Sequence, residues 1–134
     1  MRSLALLLAA TSVALAVLMP AILAGGGEAS IDGRISHFWL YVKARSFETV
    51  EFQASRGTTI KIVAYIFDTT GNQVDIDVQI IRPDGSLEYP KTRVTRQPFV
   101  YIFDAPMSGT YRLVFDNTYS ILTDKYVDLA IAGF

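Results

Sequence analysis

Val74-Asp75-Ile76-Asp77-Val78-Gln79-Ile80 alternates without a fault. Val74, Ile76, Val78 and Ile80 fall on one side of an extended chain and Asp75, Asp77 and Gln79 on the other. A helix would scatter these two sets around its axis, whereas a strand sorts them onto a dry face and a wet face. The stretch therefore specifies a sheet packed on one side only, the mark of an antiparallel layer. The same period extends outward along the chain: Phe38, Leu40 and Val42 alternate, then Val50, Phe52 and Ala54, then Ile60, Ile62, Ala64 and Ile66.

Turn chemistry appears where the alternation stops. Thr69-Thr70-Gly71-Asn72 separates the third and fourth segments, and Pro83-Asp84-Gly85 follows the fourth. Proline presets φ at the first turn position, and glycine takes a positive φ at no steric cost. A short strand at Leu87–Tyr89 is expected to give way to a basic loop from Pro90 to Pro98, which its prolines keep out of any central strand. Phe99–Asp104, Gly109–Asp116 and Lys125–Ala132 supply three more strands. About eight short strands with no helix among them predict an all-β fold, an antiparallel β-sandwich of jelly-roll or Greek-key type, with a small closed barrel as the alternative.

The N-terminus differs in kind. Arg2 precedes a nearly unbroken apolar run from Leu4 to Ala24, and Pro20, Ala21, Ala24 and Gly25 make a cleavage region. This is the pattern of a secretory leader, cut after Ala24 or after Ala29. At ~1.5 Å per residue the run is also long enough to anchor the chain uncleaved. The expected organisation is a leader or anchor over residues 1–24, a Gly-rich linker over 25–33 and the sandwich over 34–134. Either fate of the leader places the domain outside the cytoplasm.

Composition removes several classes of function. With 134 residues the chain has room for one core. It has no cysteine, so disulfides and thiolate metal sites are excluded. Twelve basic and 13 acidic residues leave a net charge of −1, which offers nucleic acid no attraction. The single histidine, His37, has no nucleophile elbow to serve. Carboxylates remain: Asp75 and Asp77 share a strand face, and Asp68 and Asp84 lie in the flanking turns. These four are the candidate Ca²⁺ ligands, since Ca²⁺ takes oxygen donors, although acids on a wet strand face also simply discourage edge pairing. Lys91, Arg93 and Arg96 with Arg82 form a basic stretch that reads as a solvated loop or as a patch for an anionic lipid or sugar. Seven Tyr, eight Phe and one Trp fill a core and suggest a recognition surface.

Three ordered blocks carry a family resemblance. They are Val74 to Ile80 leading to Arg82-Pro83-Asp84-Gly85, then Phe103-Asp104-Ala105-Pro106 leading to Gly109-Thr110-Tyr111, then Phe115-Asp116-Asn117-Thr118-Tyr119-Ser120 leading to Lys125. From about Glu48 to Ile131 the chain resembles the GOLD (Golgi dynamics) domain, the lumenal β-sandwich of vesicle cargo receptors. The resemblance implies a non-enzymatic interaction module that binds a protein or glycan, without a cofactor. Asn117 and Ser120 are expected to brace a corner that holds the last two strands in register. Cargo receptors of this type carry a disulfide whose later cysteine would fall near Val114, and they continue into a coiled coil, a membrane helix and a sorting tail. Here Val114 has no such chemistry and the chain stops at Phe134, flush with its last expected strand, so coat-dependent sorting is not expected and a prokaryotic envelope or secreted protein fits better. A membrane partner follows if the leader is retained. The alternatives are a structural homo-oligomer built by edge-strand pairing and, more weakly, a Ca²⁺-assisted hydrolase accessory domain.

Overall fold

The computed structural model describes residues 30–134, so the Leu4–Ala24 run and most of the Gly-rich segment lie outside the described residues. Eight strands follow in order: β1 Ile35–Val42, β2 Phe47–Ala54, β3 Thr59–Asp68, β4 Ile76–Ile81, β5 Leu87–Val94, β6 Phe99–Asp104, β7 Gly109–Asp116 and β8 Lys125–Gly133. They form two four-stranded antiparallel sheets with the orders β1-β8-β3-β6 and β2-β7-β4-β5. This is the double-sheet jelly roll, and two separate sheets exclude the closed barrel. β4 and β5 form the one hairpin among these strands; every other consecutive pair lies in opposite sheets.

The alternation in the sequence becomes the burial pattern. Ile76, Val78 and Ile80 on β4 are fully buried, as are Ile60, Ile62, Ala64 and Ile66 on β3. Tyr111, Leu113 and Phe115 of β7 in one sheet and Val127, Leu129 and Ile131 of β8 in the other belong to the same core, all fully buried. Phe52 and Tyr111 stack with centroids 5.6 Å apart, and the Tyr111 hydroxyl donates to the Met107 carbonyl at 2.6 Å. The interior thus accepts a tyrosine because its one polar atom finds a partner.

Three expectations change. First, β7 and β8 do not pair: the corner between them carries the chain from one sheet to the other, and their apolar rows face each other across the core. A period-two pattern gives the buried side of each strand but not which strands are neighbours. Asn117 and Ser120 still brace the bend. The Asn117 amide donates to the carbonyls of Thr123 at 2.8 Å and Val42 at 3.3 Å, and the Ser120 hydroxyl donates to Thr123 O at 3.2 Å. Second, β5 runs to Val94 and takes in the first half of the expected basic loop. Pro90 is accommodated because β5 is a sheet edge, and its pairing with β4 shifts register between Val78 and Ile80. Third, packing begins before residue 34. Ile31 is buried, its N–H donates to Gln53 O at 2.7 Å, and the Asp32 carboxylate accepts from Ser55 and Thr58. Gly133 permits this strap, because a Cβ there would collide with the Ile31 carbonyl.

Candidate functional site

The outer faces of the two sheets differ sharply. On β2-β7-β4-β5 the outward row pairs Glu51 with Arg112, and another pairs Asp116 with Asp77, which lies opposite Arg93. Exposed Phe47 and Leu87 stand at the ends of these rows, and the rest of this face is mainly polar and charged. On β1-β8-β3-β6 the outward residues are instead largely apolar. Registers place them in four rows: Tyr41-Tyr126-Phe67, Trp39-Asp128-Tyr65, His37-Ala130-Val63-Val100 and Ile35-Ala132-Lys61-Ile102. Trp39 is 60% exposed and Ile102 56%, with Ile35, Tyr41, Tyr65, Val100 and Tyr126 exposed as well.

The aromatic end of this face is preorganised. Tyr41 and Tyr126 have ring centroids 5.1 Å apart, and Tyr65 stacks beside Phe67 at 6.5 Å. The Tyr41 hydroxyl donates to Asp124 at 2.6 Å, and that bond pushes its pKa up to about 12. The opposite end, with Ala130, Ala132 and Val63, is lower and aliphatic. Two charges interrupt the face, Asp128 between Trp39 and Tyr65, and Lys61 beside Ile102. Contiguous apolar surface on this scale is uncommon on a monomer and marks contact sites.

The predicted carboxylates fall into separate settings. Asp68 caps its own turn, accepting from the N–H groups of Thr70 at 2.9 Å and Asn72 at 3.0 Å. Asp84 does the same for Ser86 at 3.0 Å. The hydroxyls of Thr70 and Ser86 donate to the same carboxylates at 2.7 Å and 2.6 Å, and these bonds first, with the amide bonds beside them, hold both carboxyls below their ordinary range. Asp75 and Asp77 are brought together, but with cations: Arg93 lies 2.5 Å from Asp77 and 3.7 Å from Asp75. Lys125, 2% exposed, extends its ammonium to Asp75 O at 2.5 Å and Oδ1 at 3.3 Å and to the Tyr119 hydroxyl at 2.6 Å. Arg93 also covers the Tyr119 ring at 3.5 Å. Burial lowers the Lys125 pKa against the pull of Asp75, while Asp75, despite its own burial, is held low by Tyr119 and Lys125. Among the described residues no three His, Cys, Asp or Glu side chains are grouped as metal ligands. This cluster is a brace between the two sheets, joining β8 and the β7–β8 corner to the start of β4.

The basic stretch is largely neutralised. Arg82 pairs with Glu88 at 3.1 Å and Lys91 with Asp116 at 2.8 Å, and Arg93 is engaged as above. Arg96 lines a recess with Tyr89, Pro98 and Tyr101. His37 stands on the outer face at the edge strand, with Ala130 as its neighbour.

Residues that sequence reasoning did not single out carry most of the face. Trp39, Tyr41, Tyr65 and Tyr126 occupy the outward half of alternations whose inward half was read as core. The signal was present: β1 and β3 are apolar at both parities, as in Lys61-Ile62-Val63-Ala64-Tyr65-Ile66-Phe67. A strand apolar on both sides is buried twice or docks something.

Comparison with known proteins gives the family. Residues 37–133 match the family model described as emp24/gp25L/p24 family/GOLD. A Nematostella vectensis protein named "Transmembrane emp24 domain-containing protein" is 30% identical over 94 residues, which is 70% of this chain and 44% of that protein. The chain thus spans less than half the length of that relative. Among solved structures, Salmonella Typhimurium PliG, a periplasmic inhibitor of g-type lysozyme, aligns over 81% of this chain and 99% of its own at 18% identity, with a TM-score of 0.48.

Proposed function

The chain belongs to the emp24/gp25L/p24 GOLD family, and on that premise we propose that it is a non-enzymatic, extracytoplasmic protein-binding module that docks its partner on the outer face of β1-β8-β3-β6. One observation carries this reading: the aromatic and aliphatic rows from Trp39 to Ile102 stand together in solvent, while the other sheet presents charge with only Phe47 and Leu87 as exposed large apolar side chains. Burying such a face releases water from apolar surface at about 25 cal/mol per Å², and Trp and Tyr are the residues that most often dominate interface energies. The carboxylates support a structural role instead, since Asp68 and Asp84 serve turns and Asp75 and Asp77 are engaged by Arg93 and Lys125. The Leu4–Ala24 run, as leader or anchor, would deliver the module to the outer side of a membrane.

The test is site-specific photocrosslinking in native cells. A photoreactive residue at Val100 is expected to trap protein, and one at Gln79 on the polar face is not. Equal trapping from both positions, or from neither, would remove the face from the account.

A further inference from the structure

We propose that the occupant of this face is a second copy of the same chain, joined in an isologous pair by reciprocal Asp128–Lys61 contacts. This rests on the docking-face reading above and names its partner. Asp128 and Lys61 are the one acid and the one permanently cationic residue in the four rows, and among the described residues neither is held in an ion pair. Asp128 stands between Trp39 and Tyr65, and Lys61 between Ala132 and Ile102 with Asp104 in the next row, so a partner covering the face must match each charge, because burying it unpaired is costly.

The register supplies the match. Asp128 is cross-strand to Tyr65, and Lys61 to Ala132; the row between them holds the Val63–Ala130 pair. With strands ~4.8 Å apart and same-face residues ~6.8 Å apart along a strand, the two charges are roughly 14 Å apart, with that pair midway. A two-fold axis lying between two face-to-face copies, and running across the strands over Val63 and Ala130, exchanges Asp128 of one with Lys61 of the other. Both salt bridges then form at once, as an isologous interface requires. The two sets of strands cross at roughly 40°, near the roughly 30° of aligned sheet packing.

Shape follows the same operation. Reversal along the strands lays the bulky end of one face on the low end of the other, so that Trp39 comes over the ground beside Ala132 and Tyr65 meets Val100 and Ile102. The axis lies on the third of the four rows, so three rows four strands wide, roughly 400 Å² in projection, overlap row on row, and the Tyr41-Tyr126-Phe67 row of each copy reaches over the Thr59–Asp104 row of the other, so that the pair removes about 1,000 Å² in all, the lower limit for a specific interface. The two charges of opposite sign also leave the face with no net repulsion against itself.

The chain has no cysteine, so a single A130C substitution places a unique thiol on the axis. In the full chain, expressed in cells and treated with a short bismaleimide, A130C is expected to cross-link to itself, whereas Q79C on the polar face is not. K61D and D128K, each combined with A130C, should each lose that product at least tenfold, since each sets like charges together. Co-expression of the two with different tags should restore it between the tags. In the mixed pair the acid introduced at position 61 of one copy meets the base introduced at position 128 of the other, and the native Asp128 of the first meets the native Lys61 of the second. If a reversal impairs folding, K61Q and D128N replace it, each expected to weaken the product severalfold. Undiminished cross-linking in the charge variants, or no restoration in the mixture, overturns the proposal. A130C cross-linked to some other protein also overturns it but leaves the docking face standing. No cross-linked product of any kind removes both.

Discussion

Glu48 offers the sharpest test of the described core. It sits on β2 in the inward row with Val50, Phe52 and Ala54, opposite Phe115 of β7, and burial alone pushes its carboxyl from 4.5 up to about 8. The folded state therefore holds a proton that the unfolded chain has lost throughout the window from 4.5 to 8. Stability attributable to this group is fully present below pH 4.5, falls as pH rises through that window and levels off above about 8. With ~1.36 kcal/mol per unit, the loss relative to low pH reaches about 3 kcal/mol at pH 7 and about 5 kcal/mol above pH 9 as an upper limit. Glu48→Gln keeps the shape and removes the titration. Urea unfolding of both proteins from pH 4.5 to 9 should give nearly equal stability at the acid end and a growing advantage for E48Q, steepest between pH 5 and 7.5. Other carboxylates cancel in the difference between the two proteins. A difference that does not vary with pH would refute the buried placement of Glu48, as would one that shrinks toward alkali.

The remaining predictions concern the brace, the corner, the core and the face. Lys125→Met should destabilise by about 1–3 kcal/mol in urea unfolding, because Asp75 and Tyr119 lose their shared cation but Asp75 retains water and Arg93. Asn117→Ala should cost about 1–3 kcal/mol by the same assay, since the Val42 and Thr123 carbonyls lose a buried donor. Phe115→Ala should cost about 3–5 kcal/mol by leaving a cavity between the sheets, read as a lowered urea midpoint with an unchanged slope. Trp39→Ala should change stability by less than about 0.5 kcal/mol while abolishing capture at Val100.

The fold was largely legible because it depends on local information. Alternation in Val74–Ile80 gives a strand with one buried side, and Pro83-Asp84-Gly85 gives a turn, whatever lies elsewhere in the chain. Topology was not legible in the same way. The Phe115 to Lys125 corner looks the same in sequence whether it joins neighbours in one sheet or crosses between sheets, and only packing of the whole core decides it. Burial of Lys125 was written in its parity with Val127, Leu129 and Ile131, but a lysine at a strand start ordinarily extends to water. Its interior position depends on Asp75 and Tyr119, 50 and 6 residues away in sequence, arriving at the same point. The four aspartates illustrate the converse: each was visible as a carboxylate, while its actual partner, a turn amide or Arg93, was fixed only by three-dimensional register. The aromatic face was half legible: tyrosine content announced a surface, but the two-sided strands β1 and β3, which mark its place, were read only for their inward half.

Trp39 is the chain's single tryptophan and lies at the aromatic end of the face, so its fluorescence reports occupancy of that face alone. Acrylamide quenching of the full chain over a wide range of protein concentration tests the docking claim most directly. The expected result is ready quenching when the protein is dilute, with protection and a blue-shifted emission as the face is covered at high concentration or by native membrane extract. Equal quenching under every one of these conditions, or a tryptophan already shielded in the dilute protein, would contradict it.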